Sequence, residues 1–307
     1  MHTRSVVAVD VGGTETKAAL FTGSGDDVVA VARQRLATPR TGDGATTADA
    51  VVETVAGLVA ALGERAGRPV DAVGLVVPGV VDEEAGTGVY SANLGWRDHP
   101  FRARLSERVG RPVAFGHDVR AGGLAEVRLG AARGLRDAVV LPIGTGIAAA
   151  LVVGGRVLAV DGEIGHVDVG HGEPCGCGST GCVEARASSA AIARRFTART
   201  GRPVAGAADV AALVRAGEKD ATVVWREAVD ALARGILVLA ALLGPRAVVL
   251  GGGLALAGDL LVDPLRERLD ELTTFHRRPE LRLAALGDEA GCLGAALLAL
   301  DTPEEKR

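Results

Sequence analysis

VAVDVGGTETKAAL, residues 7–20, and VVLPIGTGIAAAL, residues 139–151, are written to one scheme. Each opens with a short apolar, β-branched run that reads as a buried strand. Each then meets a Gly/Thr turn and resumes as a second apolar run. One scheme met twice predicts an internal duplication, two α/β domains that begin alike, with chance alignment of glycine-rich turns as the alternative.

The surroundings of each stretch extend the parallel. Val6–Asp10 is read as the first strand, and Lys17–Thr22 and Val28–Arg33 follow as strands across the turn GSGD. Thr38–Ala50 reads as a polar loop. Val51, Val52, Val55, Leu58, Val59 and Leu62 then repeat at helical spacing. A strand at Val73–Val77, the loop PGVVDEEAGTG, a helix around Phe101–Val109 and a strand at Pro112–Gly116 complete a βββαβαβ order. After Val139–Gly146 the order restarts, with Ala148–Val153 and Arg156–Val160 flanking the two-residue hairpin signal Gly154-Gly155. A long apolar helix over Val223–Leu243, a strand at Ala247–Leu250, and helices around Leu260 and Leu293 follow. Two α/β domains with a cleft between them are expected, and no stretch has the composition of a linker.

Composition narrows the function. The chain has 307 residues, 48% of them hydrophobic, and a net charge of −4. No run of about 18 apolar residues predicts a membrane span, and the first apolar stretch is too short for a signal peptide. Without a basic block there is no electrostatic case for nucleic acid. These features are those of a cytoplasmic enzyme with no membrane partner.

A strand ending in Gly-Gly-Thr lets backbone N–H groups approach a phosphate with no Cβ in the way. Asp10-Val11-Gly12-Gly13-Thr14 and Gly144-Thr145-Gly146 both fit, one from each expected domain. Gly251-Gly252-Gly253 follows a strand and precedes a helix, where a ligand can meet the helix N-terminus. A single glycine hairpin is usually a turn and nothing more. Three in this order, with Asp10 ending the first strand, favour a nucleotide. There is no G-x-x-x-x-G-K-[ST] loop, and the G-x-G-x-x-G at Gly176, Gly178 and Gly181 follows no strand.

EIGHVDVGHGEPCGCGSTGCVEARAS, residues 163–188, holds three of the four cysteines and two of the six histidines. Cys175, Cys177 and Cys182 form C-x-C-x4-C. A disulfide between Cys175 and Cys177 would be strained, and cytoplasmic thiols stay reduced. Zinc takes four thiolate and imidazole ligands, so a Cys3His set would close a structural site. Spacing leaves His166 and His171 equal as the fourth ligand. A pinned loop would aim Glu163 and Glu184 in fixed directions, as geometry-specific hydrogen bonds to sugar hydroxyls need; two solvated glutamates are the plainer reading. Cys292 lies in an apolar helix and reads as core.

Together these stretches resemble the ROK (repressor, open reading frame, kinase) family of sugar kinases and regulators, from DVGGTETK to GCLGAALLA. The resemblance implies an actin-like ATPase fold, ribonuclease H-like with a duplicated βββαβαβα unit. It places the domains at 1–118 with about 290–307, and at 119–289. It implies ATP-dependent phosphorylation of a hexose at its 6-hydroxyl, glucokinase-like, with Mg2+ and a structural Zn2+. In the family the histidine of E-x-G-H binds the zinc, which points to His166 beside Cys175, Cys177 and Cys182. Glu163, His166 and Glu184 would face the sugar. Gly12, Gly13, Thr14, Lys17, Gly144, Thr145 and Gly146 would hold the ATP phosphates, Gly251, Gly252 and Gly253 would lie by the adenosine, and Asp10 would stand near the magnesium.

The family's catalytic aspartate follows an asparagine; here VAFGHDVRAGGLAE puts His117 before Asp118. One carboxylate beside the reacting hydroxyl can accept its proton, and Asp118 fits that role. Imidazole presents its donor and acceptor elsewhere than an amide does, so the change at His117 leaves the sugar open. Asn93, in YSANLGW, is a further sugar-binding candidate, with turn capping as the alternative. An N-acetylhexosamine kinase and a non-catalytic sugar sensor are the competing functions. The family's repressors carry an N-terminal winged helix, for which a strand at residue 6 leaves no room. A homodimer or homotetramer is implied.

Overall fold

A computed structural model describes residues 3–67 and 69–303. The chain forms two compact units, one from the segment up to Leu129 together with that from Asp288 onward, the other from Gly130–Gly287.

The first unit opens with β1 (Arg4–Val11), β2 (Glu15–Ser24) and β3 (Asp27–Ala37), an antiparallel meander. Helix α1 (Gly44–Arg65) follows, then β4 (Ala72–Val77), the small sheet of β5 (Val80–Asp82), β6 (Thr87–Tyr90) and β7 (Arg97–His99), and α2 (Phe101–Val109). β8 (Val113–His117) runs into α3 (Asp118–Leu129). The main sheet has the order β3-β2-β1-β4-β8, with β1, β4 and β8 parallel.

The second unit repeats this. β9 (Ala138–Pro142), β10 (Ala150–Val153) and β11 (Arg156–Val157) form its meander. Helices α4 (Val183–Ala187), α5 (Ser189–Thr200), α6 (Ala207–Arg215) and α7 (Lys219–Leu243) precede β12 (Ala247–Gly251). α8 (Gly252–Ala255), α9 (Asp259–Leu272) and β13 (Glu280–Leu283) end it. Its sheet order is β11-β10-β9-β12-β13, with β9, β12 and β13 parallel. The two meanders and the two sets of parallel strands match position for position, so the duplication expected from the repeated scheme is present. α10 (Ala290–Asp301) then returns to the first unit.

β1 explains why its sequence is apolar without alternation. Its successive side chains point to opposite faces, and both faces are covered. Val7, Val9 and Val11 join a core with α1 and α2, while Val6 and Ala8 join Ala121 of α3 and Cys292, Ala295, Ala296 and Ala299 of α10. This second core is thin because its helices touch backbone. A Cβ at Gly74 in β4 would collide with the carbonyl oxygen of Ala295, and one at Gly294 in α10 with that of Ala121.

Three readings of the sequence change. Thr38–Ala50 is a loop only to Asp43, whose side chain accepts the Thr46 N–H at 2.9 Å and caps α1. PGVVDEEAGTG contains β5 and the start of β6, paired as a hairpin. The boundary expected at 118/119 lies after Leu129, because α3 packs on α10. α1, at 22 residues, is also long and apolar enough to cross a membrane by length and composition alone. Its apolar stripe, Val51, Val52, Val55, Leu58, Val59 and Leu62, is the one buried in this core.

Phe101, fully buried at the start of α2, stands 4.9 Å from Trp96 and 6.0 Å from Phe115 between ring centroids. Truncation empties the space between α2 and β8. Phe101→Ala is expected to cost about 3–5 kcal/mol, read as a lower denaturant midpoint with an unchanged m-value.

Candidate functional site

In the first unit the turn after β1 is held by its carbonyls. Gly12 O accepts the Thr38 hydroxyl at 2.7 Å, Gly13 O accepts Arg40 at 2.7 Å, and Thr14 O accepts the Thr38 N–H at 2.9 Å. With the carbonyls engaged, the N–H edge of Gly13 and Thr14 is left for a ligand, the arrangement a phosphate needs. Asn93 lies over this turn: a Cβ on Gly13 would be 3.9 Å from Asn93 Cβ. The structure thus brings the candidate from YSANLGW to the glycine hairpin.

Asp10, one residue before the end of β1, stands beside the N-terminus of α10, where a side chain at Gly291 would strike its carboxylate. Burial pushes its carboxyl up to about 6, Lys17 pulls it down, and Asp288 adds to the rise. Lys17 is paired across the strands with Asp10. Its ammonium donates to Asp288 O at 3.0 Å and lies 3.6 Å from the Asp288 carboxylate, which also accepts Arg35 at 2.7 Å. Lys17 is therefore held beside Asp288.

Asp118 is the first residue of α3, directly after the last residue of β8. Its Oδ1 accepts the Val119 N–H at 2.7 Å, and its side chain keeps 27% of its surface exposed. His117 is buried, with Nε2 3.3 Å from Asp118 Oδ1. Burial pushes the imidazole down to about 4, and Arg120 adds to the fall. Two residues that sequence reading missed fix this corner. Glu83 Oε1 accepts both the His117 N–H at 3.1 Å and the Arg120 Nε–H at 2.8 Å. Nothing in the local sequence signals a pair 37 positions apart.

In the second unit, Ile143 and Ile147 bridge across Gly144-Thr145-Gly146, with the Gly144 N–H bonded to Gly146 O at 3.0 Å. Glu184, on α4, reaches this hairpin: its Oε2 accepts the Ile147 N–H at 2.9 Å, and a Cβ on Gly146 would be 3.0 Å from it. Gly251 ends β12, and its carbonyl accepts the Ile143 N–H at 2.9 Å. Gly252 (φ +74°) leads into the four-residue α8, its Cα too close to the Ile143 backbone for any side chain.

His166 and the three cysteines converge, one ligand atom from each lying within 4.8 Å of the others. His166 Nδ1 is 3.7 Å from Cys175 Sγ, and Cys177 Sγ is 3.7 Å from Cys182 Sγ. Burial and the neighbouring sulfurs push the Cys182 thiol up to about 12, whereas hydrogen bonding, first from the Ser179 backbone, lowers Cys177. Sulfurs this close resist joint deprotonation without a cation, and three thiolates with one imidazole suit tetrahedral zinc. His171 is outside this group; its Nδ1 accepts the Glu173 N–H at 3.4 Å. The other ring nitrogen of His166 lies 3.9 Å from Glu163 Oε2. Burial raises the Glu163 carboxyl, His166 pulls against that, and Glu184 adds to it.

The raised Asp10 carboxyl makes a stability prediction. A folded-state value of about 6 against 3.8 means the folded chain binds more protons in that window, so stability falls as pH rises through it. Asp10→Asn removes the charge that burial opposes. It is expected to stabilise the fold at about pH 8 by no more than about 3 kcal/mol, read as a higher melting temperature, with the gain vanishing below about pH 4.

The profile of the ROK family matches residues 6–302. Glucokinase of Streptomyces coelicolor is 31% identical over 317 residues, covering 95% of this chain and 96% of that protein. N-acetylmannosamine kinase of Escherichia fergusonii is 33% identical over 96% of this chain and 98% of that one. A ROK family glucokinase from Streptomyces griseus, solved in complex with glucose and AMPPNP, matches with a TM-score of 0.82 at 29% identity, over 97% of this chain and 100% of that one. That structure shares the duplicated α/β fold expected of an actin-like ATPase, and the chain belongs to the ROK family.

Proposed function

We propose that the chain is an ATP-dependent sugar kinase that phosphorylates glucose at its 6-hydroxyl. The observation that carries the reading is Asp118, a partly exposed carboxylate fixed at the N-terminus of a 12-residue helix, in a chain similar to glucokinases over nearly its whole length. The sugar oxygen attacks the γ-phosphorus, the bond to the β–γ bridging oxygen breaks, ADP leaves, and the hydroxyl proton passes to Asp118. The glycine hairpins Gly12–Thr14 and Gly144–Gly146 would offer backbone N–H groups to phosphate, and Asp10 would stand near magnesium, which would supply positive charge against the phosphates when bound. Gly251–Gly253 lie by the adenosine.

Glu163, His166, Glu184 and Asn93 are proposed to hold the sugar hydroxyls. Zinc on His166, Cys175, Cys177 and Cys182 would orient the loop; through Nδ1 it would fix the His166 ring and so the nitrogen facing Glu163. The reaction belongs in the cytoplasm, where ATP is available and free thiols persist. A homodimer or homotetramer is proposed from the family alone.

The similarity to N-acetylmannosamine kinase, with His117 in place of the family's asparagine, supports a second reading as an N-acetylhexosamine kinase. ADP release from Mg-ATP, measured across hexoses and N-acetylhexosamines, decides between them. A response led by glucose supports the first reading and one led by an N-acetylhexosamine the second. Silence across the panel with the fold intact would leave a sugar-binding sensor. Asp118→Asn is expected to lower turnover at least ~10²-fold with the melting temperature retained; near-normal turnover removes Asp118 as the base. Cys182→Ser is expected to abolish zinc retention and weaken sugar binding, checked by metal analysis beside a sugar titration.

A further inference from the structure

His117 stands where the family resemblance expects a sugar-binding amide, yet it is 4% exposed. Its Nε2 is turned to Asp118 Oδ1 at 3.3 Å, while its buried Nδ1 has no hydrogen-bond partner among the described residues. These positions select one form of the ring. An imidazolium would be a charge taken out of water beside Arg120, and burial holds the ring neutral at ordinary pH. A neutral ring protonated on Nδ1 would bury an unpaired donor and set the Nε2 lone pair against a carboxylate lone pair. Protonation on Nε2 avoids both, since it sets an N–H in place of a lone pair against the carboxylate oxygen 3.3 Å away.

The backbone at this corner is held as firmly as the ring. Glu83 Oε1 ties the His117 N–H, at the end of β8, to the Arg120 guanidinium, in the first turn of α3. Gly116 lies against this corner: a Cβ there would be 3.0 Å from Leu298 Cδ1 and 3.4 Å from Glu83 Oε1. Asp118 sits between the two tied residues, with Oδ1 accepting from Val119 N–H at 2.7 Å and lying 3.3 Å from His117 Nε2.

We propose that His117 is a positioning residue for the carboxylate of Asp118, held in place by the Glu83–Arg120 pair, and that it does not bind the sugar. A carboxylate with one oxygen held by fixed donors has its rotation about the Cβ–Cγ bond settled before the sugar arrives. That pre-organisation affects turnover more than sugar affinity. The family's asparagine cannot place a donor where this Nε2–H stands, so the sugar loses a contact at this position and the base gains one. The proposal rests on the reading of Asp118 as the base.

Three substitutions separate the roles. His117→Gln sets an amide N–H near the place of Nε2–H, His117→Asn sets one near Nδ1, and His117→Phe keeps the ring's bulk with no donor. With full-length protein, Mg-ATP and the sugar that releases most ADP, Phe and Asn are expected to lower kcat ~10-fold or more. The sugar KM should stay within ~3-fold of wild type, and Gln should recover most of the lost kcat. A loss confined to sugar KM, or Asn matching wild type, would show that the side chain holds the sugar and overturn the proposal. Glu83→Ala should lower kcat with sugar KM held; an unchanged kcat removes Glu83 from it. If the wild-type protein releases no ADP with any sugar, the kinase reading fails, and the tautomer still decides the contact. Long-range 15N–1H spectra of His117 should show a proton on Nε2 and none on Nδ1 from about pH 6 to 8. The Nδ1–H tautomer or an imidazolium would overturn it.

Discussion

The first unit depends on how closely α10 lies against its neighbours. The helix rests on β1 and β4 on one side and on α3 on the other, and at Gly74 and Gly294 the separation is backbone to backbone. Small residues dominate this layer, Ala295, Ala296 and Ala299 against Ala8, Ala19 and Ala72, so the packing gains little area per residue and much from contact density. The same closeness sets the start of α10 against Asp10 and brings Asp288 to Lys17 and Arg35. The surroundings of Asp10 are thus made in part by the far end of the chain, which adds Asp288 to the nearer Lys17.

In each unit the candidate site residues gather at the carboxyl ends of parallel strands, where open α/β sheets bind ligands. Asp10 is one residue from the end of β1 and His117 ends β8 in the first unit, and Gly251 ends β12 in the second. The meander turns stand at the same edge, Gly12–Thr14 after β1 and Gly144–Gly146 after β9. Each unit carries one glycine hairpin, and the acidic side chains near it come from different elements. Asp118 comes from a helix N-terminus, whereas Glu184 comes from a helix following the cysteine loop.

What was legible in the sequence was local and periodic. The strand–turn–strand scheme, the stripe of α1 and the cysteine spacing each occupy one continuous stretch. α3 escaped notice because its sequence, DVRAGGLAEVRL, carries two glycines and little apolar periodicity, and it is a helix by virtue of packing on α10. The β5–β6 hairpin escaped for the opposite reason, since proline, glycine and acidic residues cluster in a segment whose pairing is tertiary. The choice between His166 and His171 was open to spacing and is a matter of where the loop folds back. Glu83 lies on that hairpin, which is why its tie to His117 and Arg120 had no sequence signal.

The return of α10 also orders events during synthesis. The second unit is one uninterrupted segment, but the first lacks a helix until residues near 301 leave the ribosome. Between Leu129 and that point the ribosome works for roughly 10 to 35 s. Throughout that interval one face of the nascent sheet, with Val6, Ala8, Phe21 and Val76, has no helix 290–301 to cover it. The usual N-terminal-first sequence is therefore inverted: the later segment can finish folding while the earlier one waits, dependent on chaperones or on its own partial collapse for protection.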